Sequence, residues 1–261
     1  MSCKSIMITS FKGGVGKSTA AANLAFALAS NGKKTLLIDC DFRMRSLDIM
    51  LGFEDEIIND AYDVMSGRTD LEKAVIRDKR SENLFFLPAP FNCQTGMDSR
   101  AFGLMLKEAE KRYFLDYIVF DTPGSSGQEF SVVSEHSDMA LIIATHFFPS
   151  IRAAECTGTE LETLGVSDRR LIINMFDMSG RFSDRTPSVV DVIDKTNIRL
   201  AGIIPYDSGM VFMQDRGELI DVAQSRNISK AFFNICKRLE GKNVPLFTGF
   251  KGINRKKLLN N

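Results

Sequence analysis

The sequence predicts an α/β protein built on one doubly wound, mainly parallel sheet with helices on both faces. Three observations lead there. Apolar, β-rich runs recur along the whole chain, they are continuously hydrophobic rather than alternating, and segments with helical periodicity separate them. Strands buried on both faces read this way, and strand–helix–strand alternation makes βαβ units. With 261 residues the chain fits one large domain, since α/β units often reach about 250 residues.

The strand candidates are Ser5–Ser10, Thr35–Asp39, Leu84–Leu87, Tyr117–Asp121, Ala140–Thr145, Leu171–Met175 and Leu200–Ile204. The helix candidates are Lys17–Ser30, Ile57–Met65, Phe102–Lys111, Ile151–Leu164, Val189–Lys195 and Ile228–Leu239. The first of these is Ala/Leu-rich and runs into Asn31-Gly32, a helix-ending pair. Periodicity stops at Gly241-Lys242-Asn243. The expected division is therefore a domain over 1–241 and a basic tail over 242–261.

Lys+Arg and Asp+Glu both number 33, giving zero net charge, which argues against a wholesale nucleic-acid coat protein, though not against a local basic patch. No run of about 20 apolar residues exists to span a bilayer. Met1–Ser10 leads into a strand-like run rather than a signal peptide. Five scattered cysteines form no CxxC pair, so a disulfide framework, a zinc site and an iron–sulfur site all lack support. A cytosolic protein is expected.

The chemistry concentrates in Phe11-Lys12-Gly13-Gly14-Val15-Gly16-Lys17-Ser18-Thr19, which follows a strand and opens a helix. Such a P-loop aims successive backbone N–H groups and a helix N-terminus at phosphate, and glycine lets the backbone approach closely. Lys17 is placed to reach the β- and γ-phosphates, and the Ser18 hydroxyl to coordinate Mg²⁺. The expected fold is thereby a P-loop NTPase. Two aspartate clusters end strands: Asp39-Cys40-Asp41, and Asp121 in Tyr117-Ile118-Val119-Phe120-Asp121. Carboxylates at strand carboxyl ends face the ligand crevice of an open α/β sheet. Taken singly, such an aspartate also reads as a turn or helix cap; beside a P-loop the ligand reading gains. An apolar strand ending in Asp is the Walker B pattern, with Asp121 bound to Mg²⁺ directly or through water. Cys40 reads as a small buried filler.

With its second lysine, the loop Lys12-Gly-Gly-x-Gly-Lys-Ser/Thr resembles that of the MinD/ParA family of deviant Walker A ATPases. The likeness covers about residues 4–240 and is nearer the MinD branch. It includes Leu47-Asp48-Ile49-Met50-Leu51-Gly52, Asp78-Lys79-Arg80-Ser81-Glu82-Asn83-Leu84, and Gly202-Ile203-Ile204-Pro205-Tyr206-Asp207 leading into Asp215-Arg216-Gly217-Glu218. The resemblance implies a catalytic set of Lys12, Lys17 and Asp41. Lys12 would reach the nucleotide of a second subunit in an ATP-sandwiched homodimer, and Asp41 would orient the attacking water. It implies ATP or ADP held by Gly13, Gly14, Val15, Gly16, Lys17, Ser18 and Thr19, with Asn174 and Pro205 on the base. Mg²⁺ would be held by Ser18, Asp39 and Asp121. Thr122–Gly127 would be switch II, although the MinD pattern has one more residue before its glycine than Gly124 allows. Arg152 would join the dimer contact.

For the MinD branch the implied function is a dimerisation switch that binds the inner membrane in its ATP state and positions the cell-division site. Hydrolysis would be slow without an activating partner, and a division inhibitor would be the second partner. The protein would then be cytoplasmic and peripheral at the inner membrane. The tail suits an anionic surface: Phe247, Phe250, Ile253, Leu258 and Leu259 would insert, with Lys251, Arg255, Lys256 and Lys257 at the head groups. Gly249 and Gly252 each cost roughly 1 kcal/mol against Ala in a helix interior. The alternatives are a ParA-like partition ATPase acting on DNA, a flagellar-number regulator, a P-loop ligase of the dethiobiotin synthetase kind, and an ATP-binding scaffold without turnover.

Overall fold

The computed structural model describes residues 3–42, 44–91, 96–179, 187–220 and 226–251. From the N-terminus come strand β1 (Lys4–Thr9), helix α1 (Lys17–Ser30), β2 (Thr35–Asp39), and short helices α2 (Leu47–Leu51), α3 (Ala61–Met65) and α4 (Leu71–Ala74). Then follow β3 (Ile76–Arg77), β4 (Leu84–Leu87), α5 (Ser99–Tyr113), β5 (Tyr117–Asp121), α6 (Gln128–Glu135) and β6 (Met139–Ala144). The last third holds α7 (Phe148–Thr163), β7 (Asp168–Phe176), α8 (Val189–Thr196), β8 (Arg199–Pro205), α9 (Gly209–Gln214) and α10 (Asn227–Leu239).

One sheet takes all eight strands in the order β3-β4-β2-β5-β1-β6-β7-β8. Every neighbouring pair is parallel except β3 with β4. The chain winds outward from β1 in both directions, so the strand order reverses there and opens a crevice beyond its carboxyl end. Successive side chains of β1 point to opposite faces. Met7 joins a core with Ile38, Phe120 and Ile142, covered by Phe102 and Met105 of α5 and Ile151 of α7. Ile6 and Ile8 join Leu37, Val119 and Leu141 under α1 and Phe232 and Ile235 of α10. Helix α1 is buried at every position from Ala20 to Ala29. Its alanines let it lie close to the sheet on one side and to α10 on the other.

The seven sequence strands are all present, and a two-residue antiparallel edge strand, β3, adds the eighth. The helix expected over Ile57–Met65 starts only at Ala61. Asp60 caps it by accepting from the Tyr62 and Asp63 backbone N–H groups, and Asp63 reciprocates. Helices α2, α4, α6 and α9 lay outside the expected set.

The tail differs most from expectation. After α10 the chain turns at Gly241 and runs back along that helix as a strap. The Arg238 guanidinium donates to the carbonyls of Val244 (2.9 Å) and Pro245 (3.2 Å), and Asn234 Nδ2 donates to Thr248 O at 2.8 Å. Asn227 exchanges two hydrogen bonds with the Lys251 backbone. Phe247, expected to enter lipid, is only 3% exposed and packs on Phe176. Phe250 stacks edge-on against Phe247 at 5.6 Å. A buried ring 3% exposed is part of the protein core, so the lipid assignment of Phe247 is corrected. Gly252 and the expected lipid contacts of Ile253, Arg255, Lys256, Lys257, Leu258 and Leu259 lie outside the described residues. Among the described residues no helix is long and apolar enough to cross a membrane.

Candidate nucleotide site

The loop from Ser10 to Gly16 leaves β1 at the crevice and delivers the chain into α1. Its base is fixed by two hydroxyls: Phe11 N–H donates to Thr157 Oγ1 of α7 (3.1 Å), and Lys12 N–H to Ser10 Oγ (3.3 Å). Gly16 stands at the helix N-cap with φ +85°, a backbone state that glycine reaches without steric cost. A Cβ there would also sit 2.5 Å from Asn174 Nδ2. A Cβ on Gly13 or Gly14 would meet nothing within 4 Å, so the space over the loop is open. Lys12 is exposed at its rim, while Lys17 and Ser18 are half-buried within it. Gly124 closes in from the far side: a Cβ on it would lie 3.2 Å from Lys17 Nζ.

Asp39 and Asp121 face each other in the β2–β5 register. Asp121 is 1% exposed, and neither carboxylate oxygen has a hydrogen-bond partner among the described residues. Burial pushes its pKa up to about 7, against the opposing pull of the Ser18 hydroxyl and the Lys17 ammonium. Asp39 also lies well above the usual carboxylate range, first through burial and then through the charge of Asp121. Unlike Asp121, Asp39 uses both oxygens, accepting from Asp41 N–H (3.0 Å) and Leu47 N–H (3.4 Å). It therefore ties Asp41 and the start of α2 to the strand end. A buried carboxylate with open oxygens beside a serine hydroxyl is a hard oxygen donor set, and it fits Mg²⁺. Asp41 is half-buried and accepts from Met44 N–H at 3.2 Å. Cys40 is fully buried between the two aspartates, and burial pushes its thiol well up, as suits a filler.

Asn174 and Pro205 line one narrow cleft of about 80 Å³ with Thr19, Tyr206 and Gln214. Asn174 Nδ2 donates to Val15 O at 2.8 Å. The amide was expected to offer both donor and acceptor to a base; one of its two N–H groups is engaged by the P-loop, which leaves the second N–H and Oδ1. The register of β7 against β8 slips between Ile173 and Phe176, and Met175 takes a left-handed φ of +53°. That irregularity aims Asn174 at the loop.

Sequence reasoning missed Ser46, whose hydroxyl lies 3.5 Å from that of Ser18, and Gln214, whose Nε2 donates to Thr19 Oγ1. It placed Arg152 at a dimer contact; the side chain is exposed on the second turn of α7, 3.4 Å from Glu155.

A mainly parallel sheet with a phosphate loop after its central strand defines a P-loop nucleotide-binding protein. The family model described as "CobQ/CobB/MinD/ParA nucleotide binding domain" matches residues 6–220, and the chain belongs to that family. Within it the likeness runs to septum site-determining MinD proteins. The MinD of Synechocystis sp. is 34% identical over 242 residues, covering 92% of this chain and 90% of its own. The MinC:MinD complex of Aquifex aeolicus superposes with a TM-score of 0.86 at 35% identity, covering 94% of this chain and 98% of the other. MinD of Pyrococcus horikoshii, solved with Mg-ADP, gives a TM-score of 0.80 at 25% identity, over 92% of this chain and 96% of the other.

Proposed function

We propose that this protein is an ATP-hydrolysing switch of the MinD type, which dimerises around ATP, binds an anionic membrane in that state, and helps position the division site. The observation carrying the reading is Asp121, buried and unpartnered beside the Lys12–Thr19 loop. A buried carboxylate with open oxygens, beside the Ser18 hydroxyl at the end of a phosphate loop, is the arrangement a bound Mg²⁺ would complete.

In this reading the backbone N–H groups of Gly13–Thr19 and the Lys17 ammonium hold the phosphates. Ser18 and Asp121 would hold Mg²⁺, which supplies charge neutralisation on the phosphate oxygens. Asp39, through its bond to Asp41 N–H, sets the carboxylate that orients water. Lys12, exposed at the loop's rim, reaches the phosphates bound by a second copy, placing a cation on charge that develops in the transition state. Hydrolysis then depends on pairing. The Asn174 amide, through Oδ1 and its second N–H, and the Pro205 loop hold the base. Relatives in complex with MinC and with Mg-ADP support a protein partner and this cofactor pair. An activator of hydrolysis completes the partner set proposed.

The test is sedimentation with anionic liposomes in ATP, ADP and no nucleotide, read beside light scattering for the dimer. ATP-dependent pelleting and dimerisation, both lost in Lys12→Ala, support the switch. Pelleting in no state, with ATP-dependent and salt-sensitive DNA binding instead, overturns it in favour of a partition protein.

A further inference from the structure

Three of the MinD-like stretches take little or no part in the nucleotide site described above, yet they meet beside it. They are Leu47–Gly52, Asp78–Leu84 and Asp215–Glu218, and Arg80 stands where they converge. Asp78 is 3% exposed, and its carboxylate receives the Arg80 backbone N–H (2.7 Å), Nε (2.9 Å) and Nη2. The planar guanidinium is thereby fixed in orientation. Its remaining N–H groups point at two carbonyls: Nη2 at Leu51 O (3.1 Å), the end of α2, and Nη1 at Gly217 O, just past α9. The Phe53 ring lies beneath, 5.9 Å away. Gly52 and Gly217 touch backbone to backbone; a Cβ on Gly217 would be 2.8 Å from Gly52 Cα.

From this junction two arms run to the first turn of α1. One is α2, whose first residue donates to Asp39 and whose N-cap, Ser46, lies 3.5 Å from the Ser18 hydroxyl. The other runs back from Gly217, whose N–H donates to Gln214 O at 3.0 Å, and Gln214 bonds the Thr19 hydroxyl. Ser18 belongs to the proposed metal end and Thr19 lines the base cleft. The two arms end on consecutive residues.

We propose that Arg80 is a positioning residue for hydrolysis: it joins the two arms into one bracket, so that occupancy of the base cleft sets the position of α2 and the Ser46 and Asp41 groups before it. Arg80 touches neither substrate nor metal. It acts through Leu51 and Gly217. The inference rests on the ATPase reading of the site. Lysine cannot replace it, because an ammonium can pair with Asp78 but does not present a flat fork to two carbonyls at once.

The experiment uses the full chain, with Arg80→Ala and Arg80→Lys compared with wild type. Turnover, Mg-ADP affinity, thermal stability and hydrogen exchange at the Leu47–Gly52 amides are read for each. In wild type, Mg-ADP is expected to slow exchange in α2 about tenfold. In Arg80→Lys, which keeps a cation on Asp78, stability returns close to wild type, Mg-ADP affinity stays within about threefold, and yet turnover falls about tenfold, as misplacement of reacting groups predicts. The exchange response to Mg-ADP disappears in both variants. Turnover that follows stability alone, or an exchange response that survives in Arg80→Lys, overturns the proposal. Nucleotide binding without even slow single-turnover hydrolysis in wild type overturns the hydrolysis reading, and the exchange comparison still decides whether Arg80 couples the base cleft to α2. Absence of nucleotide binding overturns both.

Discussion

The phosphate loop and the Asn174–Pro205 side of the candidate site, the proposed base end, hold their groups by different means. At the phosphate end, Gly13 to Thr19 lie in one unbroken stretch from the loop after β1 into the first turn of the buried helix α1, and Asp39 and Asp121 end strands paired in register. Position there follows directly from backbone. At the base end, Asn174 sits on an irregular strand end, Pro205 closes another strand, and Gln214 arrives from a six-residue helix. Asn174 and Gln214 are each held by a side-chain bond across a long sequence separation: 159 residues from Asn174 to Val15 and 195 from Gln214 to Thr19. The phosphate end is therefore expected to tolerate loosening elsewhere in the molecule, and the base end to register it.

The largest test of that contrast is at the phosphate end itself. Lys17→Ala should cut ATP turnover about a thousandfold, the scale for removing a preorganised charge from a transition state, with melting temperature little changed. Asn174→Ala should instead act on binding, weakening ADP far more than pyrophosphate in calorimetric titration. Next comes Phe247, which touches Phe176 two residues beyond Asn174. Phe247→Ala should destabilise by about 3 kcal/mol in chemical denaturation, as for a buried aromatic, and weaken ADP while sparing pyrophosphate. Removing 244–261 should reproduce the Phe247 loss, so a membrane assay with that deletion reads folding as well as lipid binding.

Gly16 is where the two ends meet. Gly16→Ala should cost about 1–2 kcal/mol for its left-handed backbone alone, and more for the contact with Asn174, read as a lower denaturation midpoint. A different handle on the phosphate end is pH. A carboxyl whose pKa is raised by folding binds more protons folded than unfolded, so its contribution makes stability fall as pH rises. For Asp121 the window runs from 3.8 to about 7. Melting temperature of the nucleotide-free protein should decline across that window, Asp121→Asn should flatten the decline, and Mg-ADP should also flatten it.

The same contrast explains what the sequence disclosed. Lys12–Thr19 is legible because spacing within one strand–turn–helix fixes its chemistry, and Asp39 and Asp121 because strand ends share an edge. Strands Thr35–Asp39, Leu84–Leu87 and Tyr117–Asp121 were bounded correctly since continuous apolar runs mark them. Helices α2 and α9 escaped because five or six residues carry too little periodicity. Arg80 reads as one cation in a charged loop until the fold brings Gly217, 137 residues away, to its guanidinium. Phe247 looked like a membrane anchor because a chain-terminal aromatic near lysines gives no local sign that Arg238 and Asn234 fasten its backbone to α10.

Helix α1 has a mechanical consequence. From Ala20 to Ala29 no residue faces water, so every displacement of this helix must push against packed neighbours on all sides. It has no slack. The phosphate loop is thus mounted on the stationary frame of the molecule, and motion driven by a bound nucleotide falls to the partly solvated pieces around it: the Asp41–Gly52 stretch, the Gly124 loop and α9. A probe attached to those pieces would move, while one on α1 would serve as the fixed mark against which they are measured.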